Sequence, residues 1–291
     1  MLDKPAAKMS ISCALEWAQS KLLATQTLSN FEAKFEAEFL LTELLNVNRA
    51  HLIAWPESIL SAENKAAYIN AVNGRVSGQP IAYILGYREF WGLKLKTTPN
   101  TLIPRPDTEI LVNETLKKIT SETQRIIDLG TGTGAIAIAL AKETQGNQNL
   151  EIIATDLDSA TLATAQHNAL EHQASISLIQ SDWLKPFSYS SQFDIVVSNP
   201  PYIEEDDQHL YKGDLRFEPI RALTSGHDGL TAITTIIKEC QDRLKKDGWL
   251  LLEHGYAQGE NIRSLLNSHG YKSIETIKDY ANLDRVTIAQ R

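Results

Sequence analysis

Ile126-Ile127-Asp128-Leu129-Gly130-Thr131-Gly132-Thr133-Gly134 is the stretch on which the fold turns. Residues 126–129 read as a strand, alternate glycines follow, and residues 135–142 read as a helix. Glycines let the backbone turn tightly and approach a ligand, and the N–H groups of the helix then face it. The alternation continues down the chain. Strands are predicted at 151–155, 176–179, 193–197 and 249–252, helices at 159–170, 230–244 and 259–266, and a closing strand pair near Ile274 and Val286. Strand–helix alternation of this kind implies a doubly wound, mostly parallel sheet with helices on both faces, the α/β class.

A second stretch, Asn199-Pro200-Pro201-Tyr202, directly follows the apolar run 193–198 and so falls at a strand's carboxyl end. Ligands of α/β proteins bind in the crevice outside those ends. Two prolines fix two φ angles and remove two backbone donors, which leaves a rigid turn with free carbonyls. The Asn199 side chain and the Pro200 main chain offer two acceptors, matching the two donors of a planar NH2 group. Tyr202 adds a flat face on which such a group can stack.

Upstream of residue 79 the chain reads as helices only, at 11–23, around Phe31, Phe35 and Phe39, and at 63–76. The three phenylalanines fall four apart and predict a helical face in need of a partner, with Asn30 as its N-cap. Trp55-Pro56 breaks the pattern. From residues alone this bundle is either a structural cap or a docking module for a macromolecule. Gly78-Gln79-Pro80 closes it. The aromatic- and glycine-rich stretch 83–98 suggests a hairpin linker, and a helix capped by an acidic or hydroxyl side chain should start near Asp107-Thr108-Glu109.

At 291 residues there is room for two domains. The net charge of −8 disfavours a sequence-independent nucleic-acid binder. Cys13 and Cys240 suggest neither a disulfide framework nor a metal site, and the seven histidines show no ligand spacing. No apolar run approaches the length of a membrane span, and Glu16 interrupts the apolar stretch of the first twenty residues, which argues against a signal peptide. A cytoplasmic setting is expected.

The glycine loop has two readings. Gly130, Gly132 and Ala135 fit a dinucleotide fingerprint, and Asp156, at the end of the second strand, suits a ribose hydroxyl pair in either reading, so a nicotinamide dehydrogenase stays open at this point. Asp128, just before the glycines, would repel a pyrophosphate and would balance a ligand carrying an ammonium and a sulfonium. A dehydrogenase also has no use for the Asn199–Tyr202 tetrad. S-adenosylmethionine accounts for both, with Asp182 and Trp183 placed for the adenine as polar edge contact and stacking surface.

Taken with these motifs, the chain resembles class I S-adenosylmethionine-dependent methyltransferases, and among them the protein-(glutamine-N5) methyltransferases of peptide-chain release factors. The matching stretches are Tyr83-Ile84-Leu85-Gly86, Glu89-Phe90-Trp91-Gly92, Ile103-Pro104-Arg105-Pro106-Asp107-Thr108-Glu109 and Asp128-Leu129-Gly130-Thr131-Gly132. Further on they are Ser181-Asp182-Trp183, Ser198-Asn199-Pro200-Pro201-Tyr202-Ile203, Arg216-Phe217-Glu218-Pro219 and Leu252-Glu253-His254-Gly255.

The resemblance implies a seven-stranded sheet and three parts: a helical substrate-docking bundle at 1–78, a β-hairpin linker at 79–106 and the methyltransferase domain at 107–291. It implies S-adenosylmethionine bound by Asp128, Leu129, Gly130, Thr131, Gly132, Asp156, Asp182, Trp183 and Asn199. The glutamine of a Gly-Gly-Gln loop in a bacterial release factor would bind and react at Asn199, Pro200, Pro201 and Tyr202. A monomer with no metal, no stable nucleic-acid partner and no membrane is expected. The rival from the same tetrad is a methyltransferase acting on an exocyclic amine of adenine or guanine.

Overall fold

A computed structural model describes residues 8–189 and 192–291. The chain divides into two compact units, Met1–Gly86 and Tyr87–Arg291, so the division falls after a short helix at Ile81–Leu85, inside the span 79–106 expected as linker.

The first unit is helical: α1 (Ile11–Leu23), α2 (Asn30–Leu45), α3 (Arg49–Ala54), α4 (Ala62–Val76) and α5 (Ile81–Leu85). Ser29, not Asn30, caps α2. Its side chain accepts from the Glu32 amide while Glu32 accepts from the Ser29 amide, a reciprocal pair that satisfies two orphan donors. The α2 face that enters the core carries Ala33, Ala37, Leu40 and Leu41, joined there by Trp17, Leu22, Tyr68 and Val72. Phe31 and Phe35 are 78% and 58% exposed, so the phenylalanine stripe is not the core face. Small alanines let helices approach closely, and a stripe of bulky rings on the same helix points elsewhere.

The second unit opens with a hairpin, β1 (Tyr87–Phe90) and β2 (Leu93–Lys96), joined by Trp91-Gly92. Both turn residues have positive φ, as a two-residue hairpin turn matched to strand twist requires. The helix α6 (Thr108–Leu116) starts where expected, yet the Asp107 carboxylate makes no capping bond and instead meets Arg285 at 3.4 Å. Beyond it come β3 (Gln124–Leu129), α7 (Ala135–Glu143), β4 (Leu150–Asp156), α8 (Ser159–Glu171), β5 (Ser177–Gln180) and β6 (Phe193–Ser198). Three short 3-10 turns lead to α9 (Thr231–Arg243), β7 (Leu244–Glu253), α10 (Gly259–Ser268), β8 (Lys272–Lys278) and β9 (Asp284–Gln290).

Seven strands form one sheet in the order β5-β4-β3-β6-β7-β9-β8. β5 through β7 run parallel, and β9 enters antiparallel between β7 and β8. Separate apolar clusters cover the two faces, one built on α6 and α7, the other on α9 and α10. The strands buried on both faces read as near-continuous apolar runs for that reason. Strand order reverses between β3 and β6, so the crevice at their carboxyl ends is the topological switch point. The glycine loop follows β3 there, and the tetrad follows β6.

Candidate active site

β3 delivers Asp128 to the floor of this crevice. Its carboxylate is fully buried, and Oδ2 accepts from Thr131 Oγ1 at 2.6 Å while Oδ1 has no hydrogen-bond partner. Burial pushes the carboxyl up to about 7, against the pull of the Thr131 hydroxyl and a backbone amide. A buried acceptor left half-satisfied is costly unless a ligand completes it. Gly130, Gly132 and Gly134 all take positive φ around the turn. At Gly134, with φ 84, a Cβ would be strained by the backbone and would also push aside the Ile138 Cδ1 tip, 2.8 Å away.

Asp156 ends β4 beside the loop. Its Oδ2 accepts from the Gly132 amide at 3.0 Å and its Oδ1 from the Asp158 amide at 3.1 Å. Those bonds orient the carboxylate and leave lone pairs for hydroxyl donors. Past β5, Trp183 adopts left-handed backbone at φ 49 and lays its ring against Gly130, at 3.5 Å from the Cβ position that Gly130 leaves empty. Asp182 beside it pairs with Lys185.

One cavity of about 770 Å³, counting its mouth, takes in Gly130, Gly132, Asp156, Asp182 and Trp183 together with Asn199 and Pro201. Ligand pockets for drug-sized molecules span about 300–1,000 Å³. Asn100 and Leu102 from the segment before α6, and Arg221, which pairs with Asp158 at 2.5 Å, also stand in its wall. Five of the expected residues stand outside this lining, Tyr202 among them, half-buried against the α9–α10 face. Asp128 lies beneath the loop, Leu129 is fully buried in the core, Thr131 spends its hydroxyl on Asp128, and Pro200 is buried. From Leu129 and Thr131, only backbone is left for a ligand.

The tetrad is pinned at both ends. Asn199 Nδ2 donates to Thr108 Oγ1 at 3.0 Å. The Tyr202 carbonyl accepts from Gln258 Nε2 at 3.0 Å, and it lies 2.2 Å from where a Cβ on Gly229 would be, so only glycine fits at 229. Tyr202 is partly buried against the α9–α10 face, and that burial, with the Glu253 carboxylate nearby, raises its phenol to about 12. The sequence pattern assigns Thr108 and Glu253 no place in the site. Both sat inside quoted motifs, Thr108 at an expected cap and Glu253 at a strand end, and nothing in a one-dimensional pattern joins either to Asn199.

A doubly wound sheet with a glycine loop after its first parallel strand, an acid closing the second and a buried unsatisfied carboxylate below the loop defines a class I S-adenosylmethionine-dependent methyltransferase. The residues present fit that cofactor. A cationic group would relieve Asp128, Asp156 suits a ribose diol, and Trp183 offers a face to a purine.

The Methyltransferase small domain model matches residues 106–213, and the PrmC N-terminal domain model matches 13–86. The chain is 42% identical over 282 residues to the release factor glutamine methyltransferase of Aliivibrio fischeri, covering 96% of this chain and 98% of the relative. It is 44% identical over 257 residues to that of Escherichia coli, covering 88% and 91%. The chain belongs to the release factor glutamine methyltransferase family. Among solved structures, a T. Thermophilus 16S rRNA methyltransferase in complex with AdoMet and guanosine aligns at a TM-score of 0.52, with 17% identity over 70% of this chain and 49% of that one. A methyltransferase from Pyrococcus furiosus aligns at 0.50, with 19% identity over 79% and 98%. At these identities the likeness concerns the fold. No helix among the described residues is long and apolar enough to cross a membrane.

Proposed function

We propose that this protein methylates the side-chain amide nitrogen of the glutamine in the Gly-Gly-Gln loop of bacterial peptide-chain release factors. The observation that carries the reading is that the glycine loop, Asp156 and Trp183 share a single cavity with Asn199 and Pro201 of the tetrad. In this reading a methyl donor held at the glycine loop and the NH2 group to be methylated meet in one crevice.

When bound, S-adenosylmethionine supplies an electrophilic methyl group on a sulfonium. The chain's residues do the rest. An amide nitrogen is a weak nucleophile because its lone pair is delocalised into the carbonyl. The Asn199 side-chain carbonyl and the Pro200 main-chain carbonyl accept its two N–H bonds, which favours a pyramidal nitrogen. They also stabilise the positive charge that grows there, the opposite-sign counterpart of an oxyanion hole. Tyr202 stacks on the amide plane and fixes its approach, so orientation supplies much of the remaining acceleration. With the cofactor bound, the nitrogen would take the methyl group as the methyl–sulfur bond breaks and its electron pair stays on sulfur, and would release one proton to solvent; an N-methylated amide cation is acidic enough to need no prior base.

The helical unit is proposed as the docking module for the folded release factor, and the chain as a monomer working in the cytoplasm, where release factors act. The net charge of −8 supports a protein substrate over a stable nucleic-acid partner. Transfer of labelled methyl tests the reading. Label should move to a release factor with an intact glutamine loop and not to one with that glutamine changed to alanine. Label in RNA or DNA, with none in the release factor, would promote the exocyclic-amine rival.

A further inference from the structure

Asn168 lies in the second half of α8 at 1% exposure, although asparagine is a poor helix former and an unbonded amide is costly to bury. Its bonds account for its presence. Oδ1 accepts from the Lys96 amide at 2.8 Å, while Nδ2 donates to the Lys96 carbonyl at 3.1 Å and to the Thr133 carbonyl at 2.8 Å. A backbone amide only donates and a carbonyl only accepts, so the flip of this side chain is fixed and both of its hydrogens are used.

The partners belong to two different parts of the site. β2 pairs with β1 along one edge, and α8 covers its other edge with side chains where a neighbouring strand would offer backbone. Asn168 answers both polar groups of Lys96 there, and His172 Nε2 meets the Lys94 carbonyl at 2.9 Å. Thr161, two turns before Asn168 on the same helix face, donates to the Asn100 carbonyl at 2.9 Å. α8 thus holds the run that carries Asn100 and Leu102 to the cavity wall. Asn168 also reaches the glycine loop. Glycines at 130, 132 and 134, all at positive φ, give that loop little steric guidance of its own, so bonds from outside set its course. The Asp156 carboxylate holds it at the Gly132 amide, and Asn168 holds it at the Thr133 carbonyl.

We propose that Asn168 is a positioning residue for the cofactor: its bond to the Thr133 carbonyl keeps the glycine loop in the course that S-adenosylmethionine needs, and its bonds to Lys96 tie that loop to the wall segment. The inference rests on the cofactor that the cavity fits and stands whichever amine is methylated. It gives a buried amide behind the loop a role in binding, with no contact to the ligand.

The test compares three variants by calorimetric binding of S-adenosylhomocysteine, with thermal unfolding read for each. Asn168→Asp keeps the bond from the Lys96 amide and sets carboxylate oxygen against both carbonyls. Asn168→Ala removes all three bonds, and alanine is the best helix former, so it serves if the aspartate variant does not fold. His172→Ala removes the Lys94 bond on the same strand edge and leaves the Thr133 bond in place. Both Asn168 variants should weaken binding by about 10- to 100-fold, the usual loss when a partner that orients a ligand-holding group is removed. His172→Ala should leave the affinity unchanged. Wild-type affinity in a folded Asn168 variant overturns the proposal. A loss in His172→Ala as large as theirs also overturns it, because the covered strand edge and not the Thr133 bond would then be responsible. If neither Asn168 variant folds where His172→Ala does, Asn168 is a strut of the fold and the proposal falls. If the unaltered protein binds no S-adenosylhomocysteine, the cofactor assignment itself fails; a binding wild type with unaffected Asn168 variants sinks only the positioning role.

Discussion

The helical unit and the α/β unit bury different things. Among the described residues of the first, the buried set is apolar apart from Ser10, which caps α1, and Tyr68, whose hydroxyl donates to the Ala37 carbonyl at 2.9 Å. In the second, Asp128, Glu218, Glu253 and His254 all lie at 5% exposure or less. Glu218 and His254 are satisfied internally. Glu218 accepts from the Ile103 amide at 3.0 Å and from Arg105, and His254 bonds Thr287 at 2.8 Å and the Gly255 carbonyl at 2.9 Å. Asp128 and Glu253 each keep an oxygen without a partner, and both stand at the carboxyl ends of strands facing the crevice. Trp17 Nε1 in the helical unit is likewise unpaired, but a neutral indole N–H is far cheaper to bury than a carboxylate. The difference teaches where to look for chemistry: a unit with no reaction of its own buries hydrocarbon, and one that works on a ligand carries incomplete polar groups.

The comparison breaks or sharpens on three measurements. The largest effect should come from Asn199→Ala, which is expected to lower turnover by about 100- to 1,000-fold, the size of losing one charge-stabilising hydrogen bond. Cofactor affinity, read by calorimetry, should hold within a few-fold; an equal loss in both would make Asn199 part of a structural turn. In the helical unit the same kind of truncation should act on stability alone. Leu41→Ala removes a fully buried side chain, and chemical denaturation should show a loss of about 2–5 kcal/mol. Weakened cofactor binding in a Leu41→Ala protein of unchanged stability would erase the contrast.

The smallest effect concerns pH. The Asp128 carboxyl is raised from 3.8 to about 7, so the folded protein holds a proton that the unfolded chain releases. Its contribution to stability is therefore full below pH 3.8 and is lost as pH rises through 7. Thermal unfolding of the cofactor-free protein between pH 5 and 7.5 should show a gap between wild type and Asp128→Asn that changes in that direction. A gap constant over that range would mean that the buried carboxyl is not perturbed.

Much of this contrast is legible in the sequence, and the part that is not has a physical cause. Strand ends, glycine loop and tetrad are local features, carried by residues adjacent in the chain, and the structure places them where the alternation pattern puts them. The Asn199–Thr108 bond spans 91 positions, and the Ile103–Glu218 bond spans 115; no periodicity encodes either. Asp107 reads as a helix cap because its neighbours are helical, yet Arg285 claims its carboxylate. The phenylalanines of α2 read as a core face because hydropathy cannot distinguish two apolar stripes on one helix. Here the alanine–leucine stripe won, since it allows close helix contact.

The late strand β9 has a consequence for any attempt to dissect the molecule. It lies between two strands that precede it in the chain, and its Arg285 reaches back to Asp107 and Asp279. Residues 106–213 contain the glycine loop, Asp156, Trp183 and the tetrad, yet a fragment of that span would lack Glu253 and Arg285. Stopping the chain ahead of β9 would also strip hydrogen bonds from both β7 and β8 and leave two bare strand edges, a template for intermolecular pairing. A gene piece that carries every recognisable motif would therefore yield aggregate in place of enzyme, and a motif search alone would score that piece as intact.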